Sequence, residues 1–261
     1  MRSVGSGLAA IQRAGHRADI YLSRPGKRNA MTTDLVKDLT EAFRRLDADD
    51  DIRAIALLGE GPVFSAGMDL ELVSQRAESD PISDDAFPQL LSLVESVRQP
   101  VVAGIKGAAP AAAFELTLAC DLRVLGSDAT YGLVETNMGL FPQGGGTQRL
   151  PRLIGLSKAT ELVLTGDYID PDEAERIGLV HEVCDPGTVD DCAKALADDI
   201  AEKAPLAIQN AKKALTAALE MPLERGLAYE RSLGETLRDT RDVTEGVAAH
   251  IEDRDPEFTG E

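Results

Sequence analysis

Two glutamates sit where an ionisable group is expensive to keep. Glu115 lies in "AAAFELTLA", and its neighbours three and four positions away are Ala111, Ala112, Leu118 and Ala119. Glu135 lies in "YGLVETNMGLF", again among mostly apolar side chains. Removing an isolated charge from water is costly, so such a carboxyl is paired, protonated or functional. Either one alone reads more simply as a satisfied structural carboxylate. Together, beside glycine-rich loops, they form a candidate acid/base pair, because apolar surroundings tune carboxyls for proton transfer near neutral pH.

The residues just before Glu115 offer a second kind of chemistry. "PAAA" (110–113) opens a helix, with proline at the favoured first position. The N–H groups of a first turn have no partner in their own helix and carry the positive end of its dipole. Such groups can hold a developing oxyanion. A second N–H has to come from another loop, and "SAGMDL" (65–70) is the candidate. Other chemistries find less support. His16, His181 and His250 are scattered without ligand spacing, which argues against a metal site. There is no GxSxG nucleophile elbow. "PQGGGTQR" lacks the GK[ST] ending of a nucleotide-binding loop.

The surrounding pattern supplies elements that could position these groups. Residues 8–13 and 18–23 read as a hairpin around "AGHR". Thr32 or Thr33 caps a helix running to about Leu46, with Leu35, Leu39, Ala42, Phe43 and Leu46 on one face. Strands are expected at 52–59, 100–107, 121–126 and 179–183, and helices at 86–99, 157–165 and 171–178. The stretch 129–155 is too rich in Gly and Pro for one element. It reads as a short extended segment, a long loop and a helix starting near Thr147. From about Val189 onward the pattern is nearly all helical, broken by prolines. Strands alternating with helices indicate an α/β fold, here a core over 1–188 and a helical region over 189–261.

Composition bounds the partners. The chain has 261 residues and a formal net charge of −18, which disfavours nucleic acid and anionic membranes. No apolar run is long enough to span a bilayer, and no signal-peptide pattern is present at the start. Cys120, Cys184 and Cys192 are odd in number and lack CxxC spacing, which argues for reduced thiols and a cytoplasmic location. Acids cluster in "DADDD", "PDEAE" and "DRDPE", and the chain holds 8 Lys against 19 Arg. An acid-rich, lysine-poor chain resembles proteins of halophilic archaea, where concentrated salt screens self-repulsion.

The motifs taken together resemble the crotonase, or enoyl-CoA hydratase/isomerase, superfamily. The resemblance runs through "LSRPGKRNAM", "GPVFSAGMDL", "PVVAGIKGAAPAAAFELTLACDLRV", "VETNMGLFPQGGGTQRLPRLIG", "TGDYIDPDEAERIGLVHEV" and "DRDPEF". It implies a core of ββα spiral turns and a C-terminal helical trimerisation region, with trimers often paired into hexamers. It also implies an acyl-CoA thioester substrate, in which coenzyme A enters as part of the substrate rather than as a cofactor. By motif, the N–H groups of Met68 and Ala112 form the oxyanion hole. Ala66, Met68 and Leu70 offer backbone groups to the adenine. Lys27, Arg28, Ala30 and Gln143 line the substrate site. Glu115 and Glu135 match the two glutamates of the hydratases, with Glu115 as base toward water and Glu135 as proton donor to the α-carbon.

Three departures stand against this pattern. The family's helix usually opens with a glycine triplet, and here it is Ala111-Ala112-Ala113. Glu71 and Asp253 occupy places where relatives often carry lysines for the CoA phosphates, which leaves Lys27, Arg28 and Arg254 as candidate replacements. The leading expectation is hydration of a trans-2-enoyl-CoA to a 3-hydroxyacyl-CoA, as in fatty-acid β-oxidation. An isomerase of the same superfamily, which can work with one carboxylate, and a silent acyl-CoA-binding homologue are the alternatives. The segment 75–91 lies where the family's acyl-pocket wall varies, and the sequence does not set chain length.

Overall fold

The computed structural model describes residues 1–72, 74 and 85–261. The expected hairpin forms as β2 (Ala9–Ala14) antiparallel to β3 (Arg17–Leu22), and β1 (Arg2–Val4) adds an antiparallel edge. From β3 the sheet continues in parallel through β4 (Ala54–Gly59), β5 (Val101–Ile105), β7 (Leu122–Gly126) and β9 (Glu182–Cys184). The result is one seven-stranded sheet in the order β1-β2-β3-β4-β5-β7-β9. A second sheet holds only β6 (Ala108–Pro110) and β8 (Thr130–Gly132), paired in parallel.

The central strands β4 and β5 are continuous apolar runs because both faces are covered. Side chains alternate along β4: Ile55 and Leu57 enter one core, whereas Ala54, Ala56 and Leu58 enter the other. The larger core is filled by α1 (Thr33–Asp47), whose Leu35, Leu39, Ala42, Phe43 and Leu46 are buried, and by Leu90, Leu91 and Val94 of α2 (Ala86–Ser96). Thr32 caps α1 by accepting the Leu35 N–H at 3.3 Å, as its type and position predict. Helices α3 (Ala112–Leu118), α4 (Gly146–Ile154), α5 (Leu156–Thr165) and α6 (Pro171–Arg176) follow in chain order.

The opposite face is closed by α7 (Val189–Ala201). Val189, Ala193, Ala197 and Ala201 recur every fourth residue and lie on Tyr21, Ala54, Ala56, Leu58, Val102 and Val124. Small side chains let this helix come close: a Cβ on Gly104 would stand 3.0 Å from that of Ala193. Thus the first helix after residue 188 packs on the sheet, and α8 (Pro205–Ala217), α9 (Leu223–Glu235) and α10 (Arg241–Glu252) extend beyond it.

The same helix corrects the expectation of three free thiols. Cys184 at the end of β9 and Cys192 in the first turns of α7 form a disulfide, with Cα atoms 7.1 Å apart, and only Cys120 is free. The two are 8 residues apart, and the chain reverses between strand and helix, so the second cysteine lands beside the first. Among the described residues no helix is long and apolar enough to cross a membrane.

Candidate active site

Helix α3 begins where β6 ends, and its first residues decide what the helix terminus can bind. Ala111 has φ 52° and ψ −122°, a conformation that glycine adopts easily and alanine does not. Its own N–H donates to Gly132 O at 2.9 Å, and its carbonyl accepts the Glu115 N–H at 3.0 Å. That turn leaves the Ala112 N–H without a partner among the described residues.

The Met68 N–H is free in the same sense. Its segment is held on both sides: Met31 N–H donates to Gly67 O at 2.8 Å and Asp69 N–H donates to Met31 O at 2.9 Å. Gly67, at φ 86°, turns the chain between them. The two loops are in contact, since a Cβ on Gly67 would lie 3.0 Å from Pro110 O and 3.9 Å from Ala112 N. The two loops that carry these unpaired N–H groups are therefore in contact, which an oxyanion hole would require.

Both glutamates are buried, Glu115 with 3% of its surface exposed and Glu135 with 7%. Glu115 stands in the first turn of α3, and its Oε1 accepts the Gly146 N–H at 2.9 Å. Burial is the largest influence on it and raises its pKa to about 7. Hydrogen bonds from Gly146 and Gly144 and the charge of Arg149 oppose that rise, and the charge of Glu135 adds to it. Glu135 opens a short 3₁₀ turn (Glu135–Met138), and burial raises its pKa as well. Its Oε2 is buried without a hydrogen-bond partner among the described residues. Two like carboxyls that feel each other titrate as a pair. The amide donors favour the ionised form of Glu115 but do not outweigh its burial, and the Glu135 Oε2 faces no donor that would favour its charge among the described residues.

The comparisons bear on this geometry. Residues 15–261 match the family model described as enoyl-CoA hydratase/isomerase. The chain belongs to the enoyl-CoA hydratase/isomerase family. It is 38% identical to a probable mitochondrial enoyl-CoA hydratase 2 of Arabidopsis thaliana, over 93% of this chain and 81% of that protein. It is 37% identical to the 2,3-dehydroadipyl-CoA hydratase of Escherichia coli, over 92% of this chain and 94% of that one. A crystal structure of enoyl-CoA hydratase from Bacillus anthracis superposes with a TM-score of 0.92 at 33% identity, covering 97% of this chain and all of that one. The α/β architecture with helices at the C-terminus is that of the crotonase fold.

The remaining residues that the family resemblance places at the substrate fall into two groups. Arg28, Ala30, Ala66 and Met68 lie on two loops bonded side by side, with the Ala66 N–H already donated to Arg28 O at 2.9 Å. Of Ala66, then, only the carbonyl is open to a ligand. Leu70 and Gln143 are exposed. Lys27 and Arg28 are exposed and form no ion pair among the described residues. Arg254 is engaged instead: it pairs with Glu245 at 2.6 Å and Glu252 at 2.7 Å, beside Asp253 at the end of α10. It is therefore not a spare cation for a phosphate. Residues 75–84, part of the expected acyl-pocket wall, lie outside the described residues.

Sequence reasoning missed the residues that hold these loops. Asn29 is fully buried, and its Nδ2 donates to the carbonyls of Glu60, Val63 and Phe64 at 2.9–3.0 Å while its Oδ1 accepts the Arg24 N–H. Ser65, also fully buried, donates to Asn29 O at 2.8 Å and accepts the Gly67 N–H at 3.2 Å. Little in the sequence marks either: Asn29 stands between Arg28 and Ala30, and Ser65 between Phe64 and Ala66.

Proposed function

We propose that this protein is an enoyl-CoA hydratase, adding water reversibly to a trans-2-enoyl-CoA thioester to give the 3-hydroxyacyl-CoA. The observation that carries the reading is two buried carboxyls, one on helix α3 and one on the 3₁₀ turn, together with unpartnered backbone N–H groups at the α3 start and on the Met68 loop that touches it. Glu115 takes a proton from water as its oxygen bonds the β-carbon. The double-bond electrons move toward the thioester, and its oxygen gathers negative charge between the N–H groups of Met68 and Ala112. Glu135 gives its proton to the α-carbon. One O–H bond breaks, one C–O and one C–H bond form, and the carboxyl pair keeps its single proton. Each preorganised donor is worth about 2.7–4 kcal/mol at the developing charge.

Crotonyl-CoA mixed with the protein in molar salt tests this through the loss of enoyl absorbance. Hydration should be abolished or sharply slowed in both Glu115→Gln and Glu135→Gln. Hydration that survives unchanged in both variants refutes the assignment. Thioester binding with double-bond migration and no hydration replaces the reading with an isomerase, and thioester binding with neither reaction replaces it with a silent homologue. The molar salt is itself part of the proposal. A chain of net charge −18 with 8 Lys fits a salt-requiring protein, and unchanged thermal stability down to millimolar salt refutes that part. The same reading includes a cytoplasmic location and a homotrimer, or a dimer of trimers, built through the C-terminal helices. Val243, Val247 and Ile251 leave an exposed apolar stripe along α10 that such a contact would cover, and sedimentation in salt checks it.

A further inference from the structure

Arg149 ties the site to a helix that the proposed chemistry does not use. Its Nε and Nη2 donate to the two Glu95 carboxylate oxygens at 2.5 and 2.7 Å, and its Nη1 donates to Gly144 O at 2.6 Å. Glu95 comes from α2 and Arg149 from α4, 54 residues apart in the chain. The planar guanidinium fits this two-oxygen grip, and a lysine could not reproduce it. Gly144 and Gly146 are the two ends of the loop that bonds Glu115, and a Cβ on Gly145 between them would collide with the guanidinium. The loop thus closes directly on the arginine. Its opposite side is just as tight, since a Cβ on Gly144 would lie 2.6 Å from Glu115 Oε2 and 2.8 Å from the Phe87 ring.

We propose that Arg149, gripped by Glu95, is a positioning residue for Glu115: it fixes the Gly144–Gly146 loop that carries Glu115's hydrogen bond and keeps a positive charge behind that carboxylate. The kinetic consequence rests on the hydratase reading. Two charged side chains act on Glu115 from the elements around it. Glu135 raises its pKa from the 3₁₀ turn, and Arg149 lowers it from α4. Glu95 stands behind Arg149 on α2 and partly neutralises it. Removing the arginine charge therefore favours protonated Glu115, and removing the Glu95 charge favours the ionised form. A bridge that only staples α2 to α4 has no reason to move the titration in opposite directions.

The test uses two readouts on the full chain in molar salt. One is the pH dependence of crotonyl-CoA hydration. The other needs no turnover: an infrared pH titration of the Glu115 carboxyl, assigned by its loss in Glu115→Gln. In Arg149→Gln the Glu115 titration and the acid limb of kcat should move up by about one pH unit, with KM little changed. In Arg149→Lys the limb should stay in place while part of the rate returns. In Glu95→Gln both should move down. If Arg149→Gln does not fold, Glu95→Gln carries the test, and an unmoved or upward shift there overturns the proposal. So does an equal loss of rate at every pH in all three variants with the Glu115 titration unmoved. If the carboxyl shifts as expected and the wild-type protein adds no water, the hydratase reading fails and the positioning of Glu115 stands.

Discussion

The two sides of the site hold their strain in different forms. On the donor side the N–H groups of Met68 and Ala112 each follow a residue at positive φ, Gly67 at 86° and Ala111 at 52°. On the carboxyl side Glu115 and Glu135 occupy relaxed backbone but give up their water. Backbone strain is the same at every pH. A buried carboxyl is costly only when ionised, so its contribution varies with pH. Within the donor side there is a second contrast, because the same conformational demand is met by glycine in one loop and by alanine in the other.

The sharpest way to break the donor side is Gly67→Ala. The new Cβ would meet Pro110 O at 3.0 Å at a positive φ, so the loop must shift and the Met68 N–H with it. Turnover of crotonyl-CoA should fall by on the order of 10²-fold, alike at pH 6 and pH 9, because loss of one oxyanion donor has about that effect. A loss confined to one end of the pH range would show that donors and carboxyls are not separable.

The carboxyl side should answer in stability as well as in rate. Burial raises Glu115 to about 7 from an unfolded value near 4.5. The folded state therefore holds its proton longer, and stability declines as pH rises from the unfolded value through about 7. Glu115→Gln removes that penalty. Calorimetry in molar salt should find the variant more stable by about 2 kcal/mol at pH 8 and level with wild type near pH 5. An equal gain at both pH values would mean that the charge is not the cause.

Ala111→Gly should then stabilise by about 1 kcal/mol at any pH, since glycine adopts this φ without strain. A destabilised variant would show that the alanine methyl packs usefully. The smallest effect is expected for Ala112→Gly. It keeps the N–H and removes only a methyl beside the thioester, so hydration should be intact or faster in the crotonyl-CoA assay. A large loss would mean that the methyl is needed.

Much of this was legible in the chain. The hairpin, the Thr32 cap and the two glutamates in apolar company follow from period, capping chemistry and the cost of burying charge, whereas the helix expected to open at Pro110 begins at Ala112 because Pro110 pairs in β6. The three-residue strands β1 and β6 were not, because a period of two needs more residues than that to show. The positive φ of Ala111 was not, because an alanine gives no hint of a turn. The Cys184–Cys192 bridge follows from the path of the chain between strand and helix, which spacing alone does not reveal. The grip of Glu95 on Arg149 joins distant residues whose types are common on any helix surface.

The two-stranded sheet has a consequence for how such a site can change over time. β6 leads directly into α3, β8 leads into Glu135, and the Ala111 N–H donates to Gly132 O at their junction. At Gly132 a Cβ would also meet Asp167 O at 2.8 Å, so a third stretch of main chain closes on the same point. The spacing between the start of α3 and the main chain at Glu135 is thus set by peptide units and not by side chains. Side chains around the acyl group can drift toward new thioesters while that spacing is inherited unchanged, which gives a lineage freedom to explore substrates without relearning the reaction.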